Sequence, residues 1–255
     1  MIFFIVAATA LTPTPPISNR PMTRSAFLQT SALLVTAAPL WPTVADDTRL
    51  YIDPSGRFSL EIPNGFAQSK RTATQGTIFV AGNFPRAATI SVNAWPLRDI
   101  VNEEARSQAL PGLEVPQPRA LPASLNSLKA VQDELGGEKA FTQLLLRKLD
   151  REKSSGALTS ELISSTAQGE GLLWSSSTDL PVADRDALFE QRGLRRLIRR
   201  TSSATFLGTV PDALKTDPVL PAVISICGSA LESDWEELGP PIERAVASFV
   251  LGASK

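Results

Sequence analysis

The chain of 255 residues contains no histidine and only one cysteine. Without histidine, Ser-His-Asp and Cys-His catalysis are excluded, and so is zinc bound through imidazole. Because Cys227 stands alone, the chain can form neither an intrachain disulfide nor a CxxC motif. This cysteine lies in the apolar run 223–227, where we expect a buried thiol that packs as a small hydrophobic side chain. The sequence also lacks P-loop, GxGxxG and GxSxG motifs, and no carboxylate pair stands out for acid–base chemistry.

Acidic residues are absent from the first 45 positions, because Asp46 is the first of the 26. A chain that began there would keep 23 of the 25 basic residues and carry a net charge of −3. That balance gives no reason to expect nucleic acid as a partner. An acid-free leader is typical of targeting segments. We therefore predict a targeting presequence over 1–45 and a single domain over 46–255, which is long enough for one sizeable core.

The leader has the character of three successive targeting signals: an apolar start (1–6), a stretch rich in Pro, Thr and Ser (11–22), and a second apolar run (26–41). The second run is too short, and too broken by polar residues and proline, for a membrane span. Signal, transit and thylakoid-transfer segments in series predict the thylakoid lumen of a plastid of secondary origin. Residues 23–29 resemble a twin-arginine signal with Ser25 in place of the second arginine, so Sec and twin-arginine export both stay open.

Within the domain, hydrophobic periodicity predicts strands and helices without regular βαβ alternation. Apolar and polar residues alternate over 58–63 and 88–95, which indicates half-buried strands. Gly169-Glu170-Gly171 predicts a hairpin turn. The other expected elements are strands at 76–80, 157–165, 172–179, 194–198, 204–210 and 222–228, helices at 101–110, 125–135, 138–149 and 242–251, and a short helix or loop at 184–191. Four prolines in 110–122 predict a Pro-rich surface insertion at about 97–126. The pattern favours the α+β class with a mainly antiparallel sheet.

Both ends of the domain carry motifs of a known family. The opening reads Tyr51-x-Asp53-x-x-Gly56-x-Phe58-Ser59-Leu60-x-Ile62-Pro63-x-Gly65-Phe66, and the end has Ser233-Asp234-Trp235 followed by Ser248-Phe249. Over about 50–251 the chain resembles the PsbP domain family, the extrinsic oxygen-evolving-enhancer proteins of photosystem II. The resemblance implies an antiparallel sheet sandwiched between helices and a lumenal protein peripheral to the membrane. The chain departs from the family in having Phe66 in place of a tryptophan, no histidine, and no N-terminal docking arm, which indicates a divergent member.

An arginine-rich run is the most unusual local feature of the domain. Five of the nine residues in 192–200 are arginines: Arg192, Arg195, Arg196, Arg199 and Arg200. In a chain of nearly balanced charge, such a run favours docking onto an acidic protein surface or onto lipid phosphates. The alternative is a solvated edge strand whose charges prevent aggregation.

An acidic group near the C-terminus is the candidate cation site: Glu232, Asp234, Glu236 and Glu237. Calcium prefers several converging oxygen ligands. No EF-hand spacing is present, and without histidine any site would consist of oxygen ligands alone. The alternative is ordinary solvated charge. Calcium stays open as a cofactor because the family is associated with calcium and chloride retention at the water-oxidising centre.

Together these features predict a non-catalytic lumenal protein that associates with lumenal subunits of photosystem II or with another thylakoid complex. It would support assembly, stability or ion retention. The alternative is a lumenal calcium- or ligand-binding protein of the same fold that is not stably bound to a photosystem. An enzyme with an all-carboxylate site is the third interpretation.

The position of the initiator tests the leader. We favour Met1, because it keeps all three targeting signals, whereas a start at Met22 would leave one simple export signal. Ribosome positions on the transcript should therefore begin at Met1, and initiation at Met22 would contradict the three-part leader.

Overall fold

The computed structural model of the chain describes residues 48–70, 76–109, 114–118, 120–122, 125–154, 158–209 and 221–252. The predicted presequence lies outside these residues. The strands are Thr48–Ile52 (β1), Phe58–Pro63 (β2), Ala67–Gln68 (β3), Thr77–Asn83 (β4), Ala88–Pro96 (β5), Ser160–Gln168 (β6), Gly171–Leu180 (β7), Leu197–Gly208 (β8), Ala222–Leu231 (β9) and Val250–Leu251 (β10). The helices are Leu97–Gln108 (α1), Leu128–Glu134 (α2), Glu138–Ser154 (α3), Arg185–Arg192 (α4) and Trp235–Ala247 (α5).

The strands form two sheets, and every pairing among the described strands is antiparallel. Seven strands form the larger sheet in the order β3-β4-β5-β9-β8-β7-β6. The smaller sheet has the order β1-β2-β10. The hairpin predicted at Gly169-Glu170-Gly171 joins β6 to β7.

A hydrophobic core lies on each face of the larger sheet. On one face, β9 residues such as Ile226 pack with Phe58 of β2 and Ile242 of α5. On the other face, Cys227 of β9 packs with helix residues such as Leu145 of α3. The side chains alternate between the two faces because successive residues of a strand point in opposite directions. The predicted α+β class, with an antiparallel sheet sandwiched between helices, is confirmed, and so is the buried thiol of Cys227.

Helix α5 differs most from its predicted bounds. It begins at Trp235 rather than 242, and it contains Pro240 and Pro241. A proline lacks the N–H for one i→i−4 hydrogen bond. Because both prolines lie in the first two turns, the helix loses bonds only near its start, where the packing of Leu238 into the core holds it. A Cβ at Gly228 would overlap Ile242, so glycine allows α5 to lie directly on β9.

The end of α5 was also predicted wrongly, because the chain leaves the helix and forms β10. Ser248 marks the change of direction. Its hydroxyl donates to the carbonyl of Ala245 at 2.8 Å and accepts from the backbone N–H of Glu61 at 2.8 Å. The next residue, Phe249, stacks on Phe58 with 5.6 Å between ring centroids. The chain end is thereby fixed to β2.

Strand β8 is continuous where two separate strands were predicted. The sequence Thr201-Ser202-Ser203 reads as a polar break, but it lies within the ladder. Farther along β8, buried hydroxyls form hydrogen bonds to neighbouring strands. The hydroxyl of Thr205 pairs with that of Ser225 at 2.8 Å and accepts from the indole N–H of Trp174 at 2.9 Å. The hydroxyl of Ser203, in contrast, is buried without a hydrogen-bond partner among the described residues, so the polar run lies in a central strand although not every hydroxyl is satisfied.

Helices α1 and α2 also differ from their predicted bounds. Helix α1 begins at Leu97, four residues before the predicted start, and buries Ile100 and Val101 in the second core. The first part of the predicted insertion is thus packed against the domain. Helix α2 is shorter than predicted and begins at Leu128, where the hydroxyl of Ser127 accepts from the backbone N–H of Ala130 at 3.2 Å. The described residues 114–118 and 120–122 have no regular structure.

Strand β6 forms one edge of the larger sheet, and carboxylates of α3 bind two of its backbone amides. Asp150 accepts from the N–H of Ser160 at 2.7 Å, and Glu138 accepts from the N–H of Ala167 at 3.1 Å. Helix α3 therefore covers part of an edge that would otherwise present unpaired donors.

The opening motif owes its shape to the buried carboxylate of Asp53, which is 3% exposed. It accepts from the backbone N–H of Ser55 at 3.1 Å and from Nε and Nη2 of Arg57, both at 2.8 Å. Gly56 has the positive φ of 68° that the turn between β1 and β2 requires. The hydrogen bonds from the Arg57 side chain hold the pKa of Asp53 below its usual value.

We expect Asp53→Asn to lower the free energy of unfolding by about 2 kcal/mol at pH 7, because Arg57 would lose its anionic partner in a mostly buried site. The native pKa lies below the unfolded one, so this contribution is complete above the unfolded value of about 4 and is lost as the pH falls through the native pKa. Urea unfolding of both proteins at several pH values measures the difference.

Asp133→Asn is the matched control, because it removes an exposed i,i+4 ion pair with Lys129. We expect it to change stability little. A loss for Asp53→Asn that was equally large at low pH would contradict the proposed role of the charge.

Candidate partner-binding surface

Several connections meet at one end of the larger sheet. Because neighbouring strands are antiparallel, the β4–β5 connection, the β7–β8 connection and the segment after β9 all lie at the same end. We call residues 84–87, 181–200 and 232–237 the arginine rim. It contains both groups of charged residues that the sequence singles out.

The β7–β8 connection is much longer than a hairpin needs. Leu180 pairs with Leu197, so that 181–196 lies outside the ladder. Hairpin loops usually have two to five residues, and long connections are commonly functional. This one contains α4, and none of the helix residues is buried. The connection therefore adds little to the core, and its side chains are available for contact with a partner.

Local sequence explains why α4 forms. The carboxylate of Asp184 accepts from the backbone N–H of Ala187 at 2.9 Å and caps the start of the helix. Gly193 ends it with a φ of 68°, and its N–H donates to the carbonyl of Phe189 at 2.8 Å. The prediction left a short helix or a loop open for this segment, and the structure has a helix.

The structure divides the five arginines of the run according to their partners. Arg196 pairs with Asp179 at 2.8 Å, and Arg200 pairs with Glu232 at 3.2 Å. Arg199 is half-buried, and burial lowers its pKa. One Nη of Arg199 lies 3.5 Å from the carbonyl of Ala87, so Arg199 connects β8 to the β4–β5 turn.

Arg192 and Arg195 are different. Among the described residues no carboxylate forms an ion pair with either of them. The guanidinium carbon of Arg195 lies 5.3 Å from the centre of the Phe189 ring, in a cation–π contact. Both arginines are exposed. Their charge is therefore available to an anionic partner.

The alternative placed these charges on an edge strand, and that part is wrong, whereas simple solvation of the charges stays open. Strand β8 lies between β7 and β9, and Arg199 pairs with Thr178 on one side and with Leu231 on the other. Charges at the start of β8 thus do not protect an edge. Docking through Arg192, Arg195, Arg196, Arg199 and Arg200 stays a prediction, and Arg192 and Arg195 are the members most accessible to it.

The acidic group of the rim is engaged in ion pairs. Arg86 binds Asp234 at 3.2 Å and Glu237 at 2.5 Å. Its hydrogen bond lowers the pKa of Glu237. Glu232 pairs with Arg200, and Glu236 is exposed. In the part of the chain that the structure describes, no three acidic or thiol side chains gather into a group that could hold a metal ion. Calcium at Glu232, Asp234, Glu236 and Glu237 stays a prediction that requires the displacement of Arg86.

Sequence reasoning missed three residues of the rim: Phe84, Arg86 and Phe189. Arg86 is 148 residues from Asp234, so its role depends on the strand order. The two phenylalanines gave a local signal, since each is a large apolar residue in a segment predicted as a connection or as a short helix. Phe84 is 53% exposed and Phe189 48%, which places both among the most exposed large hydrophobic side chains of the described residues.

A groove of about 1090 Å³ lies along α3. Its lining includes Glu103, Asp150 and Asp179. Arg151 binds Glu103 through two nitrogens at 3.0 and 2.6 Å, Ser160 donates to Asp150, and Arg196 binds Asp179. These carboxylates thus have cationic or hydroxyl partners, and nothing in the contacts selects an acid–base pair.

Glu152 has a different environment. Burial raises its pKa, and it accepts from the indole N–H of Trp95 at 2.9 Å and from Lys148 at 3.3 Å. It fixes Trp95 against the end of α3, outside the residues that line the groove.

Comparison with known proteins finds structural similarity but no match at the level of sequence. No protein-family model matches the chain, and no curated protein matches it. The solution structure of cyanobacterial PsbP (CyanoP) from Synechocystis sp. PCC 6803 is similar, with a TM-score of 0.43 and 14% sequence identity. The match covers 84% of this chain and 98% of that chain. At this identity no residue of that protein is assigned to a position here.

None of the helices in the described part of the chain is both long enough and apolar enough to span a membrane.

Calcium binding can be tested directly at the acidic group. Because Arg86 occupies Asp234 and Glu237, we expect millimolar calcium to leave the Tm of the wild-type chain unchanged. Arg86→Gln frees both carboxylates and should make the Tm calcium-dependent if they can serve as ligands. A rise of several degrees in the wild type, lost in Asp234→Asn, would instead establish a calcium site here.

Proposed function

We propose that this chain is a non-catalytic extrinsic protein of the thylakoid lumen that associates with lumenal subunits of photosystem II through its arginine rim. The β7–β8 connection is the observation that supports docking through the arginine rim. It contributes no buried helix residue, and it presents Arg192 and Arg195 without a carboxylate partner among the described residues. Exposed guanidinium groups bind carboxylates in two-pronged geometry, which suits an acidic protein surface.

The motifs that resemble the PsbP family support the assignment, because they have structural roles here. Asp53 shapes the first hairpin, and Phe58 stacks on Phe249. Trp235 begins α5 and packs against the first core. Residues with such structural roles are constrained by the fold. The PsbP-like motifs at the two ends of the domain are therefore consistent with a PsbP-like fold over the whole domain.

The leader supports the proposed location independently of these motifs. It lacks acids, and its three stretches follow the order that we predict for signal, transit and thylakoid-transfer segments. Contact through a charged rim is sensitive to salt, because counter-ions screen exposed charges. A protein held in this way can support the assembly, stability or ion retention of its complex without a covalent step.

The test is reversal of the two available charges. We expect Arg192→Glu/Arg195→Glu to reduce the fraction bound to photosynthetic membranes about tenfold or more at low salt, because rim charges set electrostatic attraction. The wild type should sediment with photosystem II and be released by high salt. Immunoblots of gradient fractions measure both.

Arg147→Glu is the matched control. Arg147 is exposed on α3, and no described residue forms an ion pair with it. Retention of this variant at the wild-type level is expected. Equal retention of the rim variant, with an unchanged Tm, would refute docking through the rim. Absence of the wild type from photosystem II fractions would refute the assignment to that complex.

A further inference from the structure

Two exposed phenylalanines belong to the arginine rim. Phe84 lies in the β4–β5 connection and Phe189 in the β7–β8 connection, at the same end of the larger sheet. The two connections are three strand spacings apart, or about 14 Å. Phe84 is 53% exposed and Phe189 48%, so each ring forgoes about half of the stabilisation that full burial of an apolar side chain gives. Each ring lies beside an arginine of the rim, because Phe189 contacts Arg195 and Phe84 is two residues before Arg86.

The first ring is held in place before any partner arrives. A Cβ on Gly82 would lie 3.1 Å from the Phe84 ring, so the ring rests directly on the β4 backbone. The turn closes at Ala87, the one non-glycine residue with positive φ in the described chain, whose N–H donates to the Phe84 carbonyl at 3.1 Å. Arg86 fixes the same turn to α5 through Asp234 and Glu237.

The second ring is also ordered. Phe189 lies on the capped helix α4, and the Arg195 guanidinium covers one face of its ring. A side chain that is ordered before binding loses less conformational entropy in the complex. Phenylalanine and arginine are also enriched at protein–protein interfaces relative to the rest of the protein surface.

We propose that the arginine rim binds one protein partner at two points, with Phe84 and Phe189 entering apolar recesses and Arg192 and Arg195 pairing with carboxylates of that partner. The proposal rests on the rim being the docking surface, as in the proposed function, and it does not depend on which complex contains the partner.

The charges of the rim favour a protein over a lipid surface. Exposed carboxylates lie among the arginines, including Asp186 and Glu190 on α4 and Glu236 on α5. An anionic membrane surface would repel them. A protein surface can place a complementary charge opposite each sign, and such surfaces combine aromatic residues and arginine with mixed charge at the margin.

The single cysteine makes a site-specific test possible. Cys227 is buried, with 3% exposure, so a cysteine in place of Phe84 or Phe189 is the one exposed thiol among the described residues. Benzophenone maleimide on that thiol restores an aromatic group at the same point. The labelled full chain is incubated with photosynthetic membranes of its own organism and irradiated, and the adducts are identified by mass spectrometry.

We expect Phe84→Cys and Phe189→Cys to cross-link to the same protein, through peptides next to acidic residues. Arg192→Glu/Arg195→Glu in either background should reduce the adduct about tenfold. Leu173→Cys is the control, because Leu173 is exposed near the opposite end of β7. Unlabelled Phe84→Ser and Phe189→Ser should each weaken membrane binding about tenfold, at unchanged Tm.

The proposal is overturned by adducts to lipid, by adducts to two unrelated proteins, by no adduct, or by equal adducts from Leu173→Cys. Binding to protein-free vesicles of the membrane lipids as strong as binding to the membranes would overturn it too. Cross-linking of both cysteines to one protein that is not part of photosystem II would support two-point binding by the arginine rim and would refute the proposed association with photosystem II. Co-sedimentation of the chain with photosystem II without cross-links from the two rim cysteines would refute binding through the rim, but the association with photosystem II would still be supported.

Discussion

The burial of β9 on both faces is the constraint on which the rest of the domain depends. All ten of its residues are buried, and each face belongs to a different core. On one face Gly228 lets α5 approach the strand directly. On the other face Ser225 is satisfied by Thr205 of the next strand. A strand in this position needs partners on both edges, and β5 and β8 provide them.

The local parts of the fold could be predicted from the sequence, because they depend on short-range patterns. Period-two alternation predicts β2 and β5, and the glycines around Glu170 predict the hairpin between β6 and β7. The bounds of α5 and the continuity of β8 could not be obtained in this way. Proline usually limits a helix and a run of hydroxyl residues usually interrupts a strand, but packing against distant residues overrides both tendencies here.

The candidate partner-binding surface, like the fold, could be predicted from the sequence only in part. Composition alone identifies the arginine run, whereas the partners of its members are far away in the chain. Glu232 binds Arg200 across neighbouring strands, and Arg86 reaches α5 over 148 residues. Which charges are neutralised within the domain, and which stay available, is therefore a property of strand order. The sequence shows which residues of the rim are charged, but it does not show which of those charges are available to a partner.

The carboxylates of α3 that bind amides of β6 have a consequence for the protein at high concentration. A sheet edge with free donors can accept a strand from another molecule and start an ordered polymer. Asp150 and Glu138 occupy the amides of Ser160 and Ala167, near the two ends of β6. An incoming strand would have to displace both anions before it could pair along the full edge. At high protein concentration, the edge at β6 is therefore less open to pairing with a strand of another molecule.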